Sequence, residues 1–500
     1  MSASSTKSRF VPARLLPALL ILVGLGSCAW GTAELLGGVN RLAAAVLVLP
    51  RLPFLLGFDQ SKVYLVLVQN RDELRATGGF VSGIGTLCLE RGRLAALEIG
   101  DSYRVDDLSK DYPPPPQPLR RVMGGDYWLP RDANWEPDFP TAARQAQQLY
   151  HISTGQATDG VIAFDQRALR GLLASLDSPL QVEGFAEPIT AENVETLLQR
   201  AWQPAAGQKL DNQWWLNRKN FMSVLGQSLL QRLKQTRDPR LIWKLLHQGL
   251  WLVESGHVLV YFNDPAAQSA LRVADIENSL IPAAGDYLLW VDSNVGFNKT
   301  DAVVHREMVY HVDLTNPAQP TADLAMTYHH LGQPGVVCKH EASYGSGAYT
   351  DMQARCYWDY WRVYLPAGAR LLKAQVKPVR AENLVTGIGW DGQVETSPAP
   401  AGMTAFAGLL LLPAGGREAV SLRVALPESV VQPLGRGGWR YALHVQKQAG
   451  LDALPLWVKV HIPPGYAVRG DAWNRTGSQE WSWRADVVRS LTLVVEVRRD

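Results

Sequence analysis

Three short polar stretches carry residues whose types suit chemistry on a phosphate group. Arginine side chains fork onto phosphate oxygens, and the oxygens of aspartate or asparagine can hold Mg²⁺. We therefore predict that Arg75, Asp101 and Asp132 are the catalytic residues of one site, in which the two aspartates bind Mg²⁺. Further binding residues are expected beside them: Asn70, Glu73 and Thr77 in the stretch 69–80, and Arg131 and Asn134 in the stretch 127–140. Arg218, on a predicted helix, is expected to join the site.

The same residues also fit a structural interpretation. An arginine and an acid in a long loop commonly form an ion pair that holds the loop, and Arg218 fits a solvated helix face. The sequence has no P-loop, no H-E-x-x-H or paired C-x-x-C motif, no complete dinucleotide fingerprint and no G-x-S-x-G motif. Geometry distinguishes the two interpretations, because a working site requires Arg75, Asp101 and Asp132 to meet around a cleft.

Alternating strand-like and helix-like segments place the three stretches in one α/β domain. The run KVYLVLVQ (62–69) is nearly all apolar, as expected for a strand covered on both faces, and 79–100 is typical of two joined strands. Pro140 begins a helix, and the short strand 159–164 precedes another. Ligands bind at the carboxyl ends of strands in open α/β sheets, and two of the polar stretches directly follow strands. We therefore predict an α/β layered domain over residues 60–278 with a ligand site at this edge.

The second half of the chain changes to a β pattern. Apolar and polar residues alternate in segments such as AVVHREMVYHVDL (302–314) and LWVKVHIP (456–463), between turns rich in Gly and Pro. Residues 279–500 are predicted to form an antiparallel, β-sandwich-like region, so the fold class is α+β with more than one domain. The formal net charge of +2 provides no field that would favour nucleic acid as a partner.

The N-terminal segment predicts a membrane location. Basic residues precede an uncharged run, residues 15–33, that is just long enough to cross a bilayer as a helix. The positive-inside rule then assigns residues 1–34 to a cytoplasmic tail and anchor, with the remaining chain outside the membrane. LGSC (25–28) resembles a bacterial lipobox, so a cleaved lipoprotein signal with lipidated Cys28, or a plain cleaved signal, is the alternative. Residues 35–59 are expected to be an amphipathic membrane-proximal segment or the first packed helix.

Two cysteines, Cys338 and Cys356, flank a glycine-rich loop. An exported chain permits disulfides, so we predict a bridge between them that closes this loop. The alternative is a pair of reduced thiols in the core.

Several long motifs resemble the DUF4012 family of bacterial proteins. They are LVLVQNRDELRATGGFVSGIG, DSY, RDANWEPDFPTAARQAQQLY and DGVIAFDQRALRGLLASL in the α/β half, and CYWDYWRVYLPAGARLL and YALHVQKQAG in the β half. The family has no established activity. The resemblance implies a bacterial protein that is anchored by its N-terminus and has its domains outside the membrane.

A fainter similarity is to the LytR-CpsA-Psr phosphotransferases, which move glycopolymers from a polyprenyl-pyrophosphate carrier onto the cell wall. The shared order is a core strand, an Arg-bearing loop, an Asp after the next strands, and the strand and helix of DGVIAFDQRALRGLLASL. This similarity implies an α/β domain of that fold. In it Arg75 and Arg218 would bind pyrophosphate, and Asp101 and Asp132 would bind Mg²⁺. The family's Arg-Ser-Asp-Thr run and its Arg-Gln-Gln helix signature are not present, and NRKNFMSV stands where the latter is expected.

Two functional expectations follow. The first is a membrane-anchored, extracytoplasmic cell-envelope protein that binds or transfers a polyprenyl-pyrophosphate-linked glycopolymer with Mg²⁺ as cofactor. The second is a non-catalytic envelope protein whose tryptophan-rich β half binds a cell-wall polysaccharide or a protein partner.

Overall fold

The structure, a computed structural model, describes residue 40 and residues 43–499, apart from 203–220, 282–283, 343–347, 436 and 471. The predicted anchor and Arg218 therefore lie outside the described residues. None of the helices in the described part of the chain combines the length and the hydrophobicity needed to cross a bilayer. The described end of the predicted membrane-proximal segment packs on the first strand, where the Tyr64 hydroxyl donates to the Leu55 carbonyl oxygen at 2.7 Å.

The first half forms a mixed five-stranded sheet. Its strands are β1 (Lys62–Asn70), β2 (Phe80–Glu90), β3 (Arg93–Asp101), β4 (Gly160–Asp165) and β5 (Val258–Phe262). The strand order is β3-β2-β1-β4-β5, in which β1 and β4 are parallel and all other neighbours are antiparallel. Because β1 and β4 run in the same direction, their carboxyl ends meet at one edge of the sheet.

Helices cover both faces of this sheet. The helices of the first half are α1 (Leu52–Leu55), α2 (Gln117–Met123), α3 (Phe139–Thr154), α4 (Gln166–Ser175), α5 (Val194–Trp202), α6 (Phe221–Gln235), α7 (Pro239–Glu254) and α8 (Pro265–Val273), and the short α9 (Tyr349–Gln353) follows in the second half. Helix α3 packs against Leu65 and Leu67 on one face of β1, and α6 packs against Val66 on the other. This two-sided burial explains the nearly continuous apolar run of β1.

Two aspartates fix where the central helices begin. The Asp138 carboxylate accepts from the Thr141 backbone N–H, and the Asp165 carboxylate accepts from that of Ala168, each at 3.0 Å. These N-caps satisfy backbone donors that have no partner within the helix. Pro140, in the first turn of α3, needs no such partner.

The second half forms two larger sheets. Their strands are β6 (Asp286–Val291), β7 (Val304–Asp313), β8 (Thr321–His330), β9 (Tyr357–Leu365), β10 (Arg370–Gln375), β11 (Glu395–Pro398), β12 (Thr404–Leu412), β13 (Arg417–Ala425), β14 (Val431–Leu434), β15 (Gly438–Val445), β16 (Leu454–His461), β17 (Tyr466–Arg469), β18 (Asn474–Arg475), β19 (Glu480–Val487) and β20 (Leu491–Arg499). One sheet has seven strands in the order β10-β13-β8-β7-β16-β19-β18. The other has eight strands, ordered β11-β12-β9-β6-β15-β20-β17, with β14 paired to β15.

Side chains from both large sheets share one hydrophobic core, as in a sandwich. Tyr310 and Val458 from the seven-stranded sheet and Trp361 and Tyr441 from the other are buried within it. The sheets differ from the predicted antiparallel arrangement in two places, since β6 and β15 are parallel, as are β7 and β16. Alternation along a strand indicates which face is buried, but strand direction depends on long connections that leave no local pattern.

The loop that joins β1 to β2 is held by the β half. The Leu74 N–H donates to the Asp301 carboxylate at 2.8 Å, and the Leu74 carbonyl oxygen accepts from the Asn294 N–H at 2.9 Å. The Gln448 side chain donates to the Arg75 carbonyl oxygen at 3.0 Å. The β half therefore positions the loop that carries the first predicted polar stretch.

Candidate functional site

A cavity of about 750 Å³ lies at the edge where the carboxyl ends of β1 and β4 meet. Residues 68–75 and 131–132 line it from the α/β half, and Lys299, Arg306 and Tyr349 line it from the β half. The third polar stretch, residues 100–108, also reaches the cavity through Tyr103, so all three stretches expected to meet do so. The β half, which was not assigned a part in this site, contributes lining residues as well.

Arg75 is the most buried charged residue of the cavity wall. Its guanidinium group is paired with the Glu73 carboxylate at 3.1 Å and also donates to the Asn294 carbonyl oxygen. Glu73 in turn pairs with Lys299. Since Arg75 and Glu73 come from the loop after β1 whereas Asn294 and Lys299 come from the β half, this network joins the two halves. Such a network fits the structural interpretation of Arg75.

Asp132 is held more loosely. Its carboxylate lies 3.8 Å from Arg75 Nη2 and 3.8 Å from Arg131 Nε, and within the described part of the chain Asp132 Oδ1 accepts no hydrogen bond. Arg131 is itself held by an ion pair with Asp106 and by the ring of Tyr103, whose centroid is 4.6 Å from the guanidinium carbon. Burial raises the pKa of Asp132, although the charges of Arg131 and Arg75 act against this. A weakly bonded carboxylate with a raised pKa that lines a cavity is of the kind that takes part in proton transfer.

Asp101 does not take the expected place beside Asp132. Its carboxylate is fully buried and accepts from the Tyr103 N–H at 3.1 Å, so that it caps the 3₁₀ helix Ser102–Val105. Asp101 is not among the residues that line the cavity. The two acids predicted to share Mg²⁺ therefore do not meet there. Among the residues that the structure describes, no group of three or more His, Cys, Asp or Glu side chains is arranged to hold a metal ion.

The other predicted binding residues divide into two groups. Asn70 lines the cavity, and its side-chain oxygen accepts from Gln166 Nε2 at 2.7 Å. Thr77 and Asn134 are buried away from it: Thr77 forms a bridge with Ala449, and Asn134 Nδ2 donates to the Gly79 carbonyl oxygen at 2.7 Å. Arg218 lies outside the described residues.

Several charged residues of the cavity escaped the sequence analysis. The Tyr349 hydroxyl donates to Asp72 at 2.6 Å, and burial raises the pKa of Asp72. Arg306 pairs with Asp301 and donates to Asp292 at 2.5 Å. The polar run DSNVGFNKTD (292–301), a sharp interruption between two strand patterns, is the signal that could have pointed to this part of the site.

The cavity also has an apolar wall. Helices α2, α5 and α6 supply most of it, together with the start of β2, and its members are Leu119, Met123, Leu198, Phe221, Met222 and Phe80. The Phe80 ring adjoins the charged groups, since its centroid lies 5.5 Å from the guanidinium carbon of Arg75 and 5.2 Å from Lys299 Nζ. A cavity lined both by ion pairs and by aliphatic and aromatic side chains suits a ligand with a charged head and an apolar body.

A disulfide joins Cys338 and Cys356, whose Cα atoms are 5.4 Å apart. The loop that it closes carries α9, which brings Tyr349 and Met352 to the cavity wall. The Met352 carbonyl oxygen also accepts from the Lys299 N–H at 3.0 Å. The bridge therefore fastens the part of the β half that faces the α/β half.

Comparison with protein families identifies one match. Residues 59–202 match the model of the DUF4012 family. Its description is "protein of unknown function", so the match supports the resemblance seen in the motifs and assigns no activity. The matched residues include β1 to β4 and most of the charged loops that line the cavity. The similarity to the LytR-CpsA-Psr phosphotransferases is not shown by these comparisons and stays a prediction.

No curated protein matches the sequence. Among solved structures, a proposed nutrient-binding protein of Legionella pneumophila is similar over 43% of this chain and 71% of its own, with 8% identity and a TM-score of 0.25. An M1 zinc metallopeptidase of Deinococcus radiodurans is similar over 39% of this chain and 42% of its own, with 11% identity and a TM-score of 0.21. Yeast LTA4 hydrolase is similar over 39% of this chain and 29% of its own, with 6% identity and a TM-score of 0.22. These scores support no argument about fold or function.

Proposed function

We propose that the protein binds an amphipathic, phosphate-linked compound in this cavity, of the class of polyprenyl-pyrophosphate-linked glycans, at the outer surface of a cell membrane. The observation that carries the proposal is the mixed lining of the cavity, which contains both arginine and lysine ion pairs and a set of apolar side chains. The disulfide is in keeping with an exported chain, and the N-terminal apolar run is in keeping with an anchor.

Binding is better supported than transfer. Arg75 is engaged in a buried network between the halves, and Asp101 caps a helix, so two of the three predicted catalytic residues already have structural partners. Asp132 is the remaining candidate for chemistry. A Mg²⁺ ion commonly binds one or two carboxylates together with substrate phosphates, so Asp132 with a ligand phosphate is the arrangement this chain could offer.

Direct analysis of the purified protein tests the proposal. Full-length protein from its native cells should carry polyprenyl phosphate detectable by mass spectrometry. In vitro it should bind farnesyl pyrophosphate more tightly than farnesol or inorganic pyrophosphate. Only farnesyl pyrophosphate has both a charged group for the ion pairs and an apolar body for the apolar wall. A protein that is free of lipid and binds none of the three compounds, with or without Mg²⁺, would exclude the proposed function.

Replacing Asp132 by asparagine separates the role of Mg²⁺ from that of the arginines. If Asp132 holds Mg²⁺, the Mg²⁺-dependent part of farnesyl pyrophosphate binding should vanish in Asp132→Asn. If the arginines alone bind the phosphate, the loss of one negative charge should leave binding unchanged or tighter. Arg200→Gln is a suitable control, because Arg200 is an exposed residue of α5 that pairs with Glu187 and does not line the cavity.

A second candidate function rests on the outer face of the seven-stranded sheet. Trp457 points away from the core, since its neighbours Leu456 and Val458 point into it. Its ring lies 4.1 Å from Lys459 Nζ and 5.9 Å from the guanidinium carbon of Arg484. A half-buried ring on the outer face of a sheet, with two cations beside it, suits an acidic polysaccharide. Loss of polysaccharide retention in Trp457→Ala, with farnesyl pyrophosphate binding intact, would support this function.

A further inference from the structure

A half-exposed carboxylate, Asp452, lies where three nitrogen-bearing side chains of the α/β half converge. The Arg71 guanidinium donates two parallel hydrogen bonds to it, at 2.7 and 2.6 Å. Arg167 Nε lies 3.4 Å from Asp452 Oδ1, and His257 Nε2 lies 3.8 Å from the same oxygen. The loop after β15 thus inserts an anion into a cationic recess beside the cavity.

Asp452 accepts hydrogen bonds from Arg71 but none from Arg167 Nε or His257 Nε2. Arg167 Nε and His257 Nε2 are buried atoms with no hydrogen-bond partner among the described residues. The His257 ring cannot turn away, because its Nδ1 is bonded to Asp165 at 2.7 Å and its face stacks on Trp251. Both nitrogens are therefore held in position facing one carboxylate oxygen that is too far away to bond them well.

The surroundings of Asp452 favour negative charge. Burial raises the pKa of Asp452, but the hydrogen bonds from Arg71 and the charges of Arg71, His257 and Arg167 outweigh this and lower it to about 2. Helix α4 begins at Gln166, so the positive end of its dipole and Arg167 lie at the same place, although the Asp165 carboxylate already caps this helix. Helix N-termini at the carboxyl ends of parallel strands are common phosphate sites.

We propose that Arg71, Arg167 and His257 form a phosphate-binding site and that Asp452 occupies it until a phosphate group displaces it. A phosphate offers more oxygens than a carboxylate and carries more charge, so it can bond Arg71 and still reach Arg167 and His257. His257 Nε2 is suited to this in either form. When neutral it accepts a hydrogen bond from the O–H of a hydrogen phosphate, and when protonated it donates one to a phosphate oxygen.

This site borders the cavity, because Arg71 lines the cavity and so do Gly450 and Leu451, which precede Asp452 in the chain. A bound phosphate would therefore lie at the rim and direct the rest of its ligand inward. The inference depends on the proposed function in one respect only, namely that the ligand has an apolar part. The phosphate site itself can be tested with inorganic ions.

The test uses isothermal titration of the full-length protein with inorganic phosphate and with farnesyl phosphate. Asp452→Asn keeps the shape of the side chain and removes the competing charge. Both compounds should therefore bind this variant at least about tenfold more tightly than they bind the wild type. Adding Arg167→Gln to this variant should reverse most of the gain. The control is Asp323→Asn, since Asp323 is also half-exposed and paired with an arginine at 3.9 Å, on a distant strand.

Three results would overturn the proposal. The first is an unchanged phosphate affinity in a folded Asp452→Asn protein. The second is a gain that survives Arg167→Gln. The third is a gain with farnesyl phosphate alone, which would assign the effect to the apolar wall. Arg167→Gln in the otherwise wild-type protein should also weaken the binding of farnesyl pyrophosphate. If that binding is unchanged, the phosphate site is contradicted but the proposed function is not.

A spectroscopic readout does not depend on affinity. Phosphate binding should shift the His257 ring resonances in the Asp452→Asn protein, because Nε2 gains a bonding partner. The spectrum also shows whether the variant is folded. Absence of any shift at saturating phosphate would contradict a direct contact.

Discussion

Replacing Lys447 by methionine measures the cost of a buried ammonium group next to the proposed phosphate site. Burial lowers the pKa of Lys447 from 10.5 to about 7, against the attraction of Asp165 and Asp452. Between about pH 7 and pH 10.5 the unfolded chain therefore binds more protons than the folded one, so that stability rises with pH. At about 1.4 kcal/mol per unit, the free energy of unfolding of the wild type should rise by about 2 kcal/mol from pH 7 to pH 9 relative to Lys447→Met.

Denaturant unfolding of both proteins at several pH values provides the measurement. The variant also loses the hydrogen bonds that Lys447 Nζ donates to the carbonyl oxygens of Gln448, at 2.9 Å, and Leu451, at 2.5 Å. That loss does not depend on pH, so the difference in slope is the quantity to compare. Lys377→Met, at an exposed position, should run parallel to the wild type. Parallel curves for the wild type and Lys447→Met would refute the reasoning.

Three further predictions concern buried groups. Burial raises the pKa of Asp286 to about 6 despite hydrogen bonds from two tyrosine hydroxyls. The folded protein then binds more protons than the unfolded chain between pH 3.8 and about 6, so the free energy of unfolding should fall by about 2 kcal/mol as the pH rises across that range, and Asp286→Asn should lack this fall in denaturant unfolding. Replacing Cys338 and Cys356 together by serine should lower the free energy of unfolding by about 3 kcal/mol and weaken farnesyl pyrophosphate binding, measured by denaturation and calorimetry. Arg75→Ala should lower the free energy of unfolding by about 3–5 kcal/mol, since it leaves buried Glu73 with one fewer partner, and wild-type stability in a denaturation assay would contradict this.

Local pattern was sufficient to predict the elements that carry the charged loops. The apolar run of β1, the joined strands β2 and β3, and the proline-started helix α3 are each encoded within a dozen or so neighbouring residues. Arg75 lies at the edge expected for it, because its loop follows β1. The strand pattern did not place Asp132, which follows no strand, and the structure brings its carboxylate to 3.8 Å from Arg75.

The partners of these side chains could not be predicted in the same way. Asn294, Lys299 and Tyr349 reach the loop after β1 from more than two hundred residues along the chain, through contacts between the halves. No periodicity encodes such contacts. Asp101 illustrates a different limit, since an acid that directly follows a strand can either face a ligand or cap the next turn, and here it caps.

The three arginines at the edge of β1 and β4 differ in what an incoming anion would have to break. Arg75 is 2% exposed within a network that joins the halves, so displacing Glu73 would leave buried charges unpaired. Arg131 is more exposed, but its partner Asp106 is only 8% exposed and would be left in the same state. Asp452, the partner of Arg71, is 50% exposed, so it can turn into water and, unlike Glu73 or Asp106, would not be left as a buried unpaired charge. The phosphate group of a polyprenyl phosphate should therefore be bound at Arg71 first. The apolar body of that ligand should then extend past Arg131 and Asp132 toward the apolar wall.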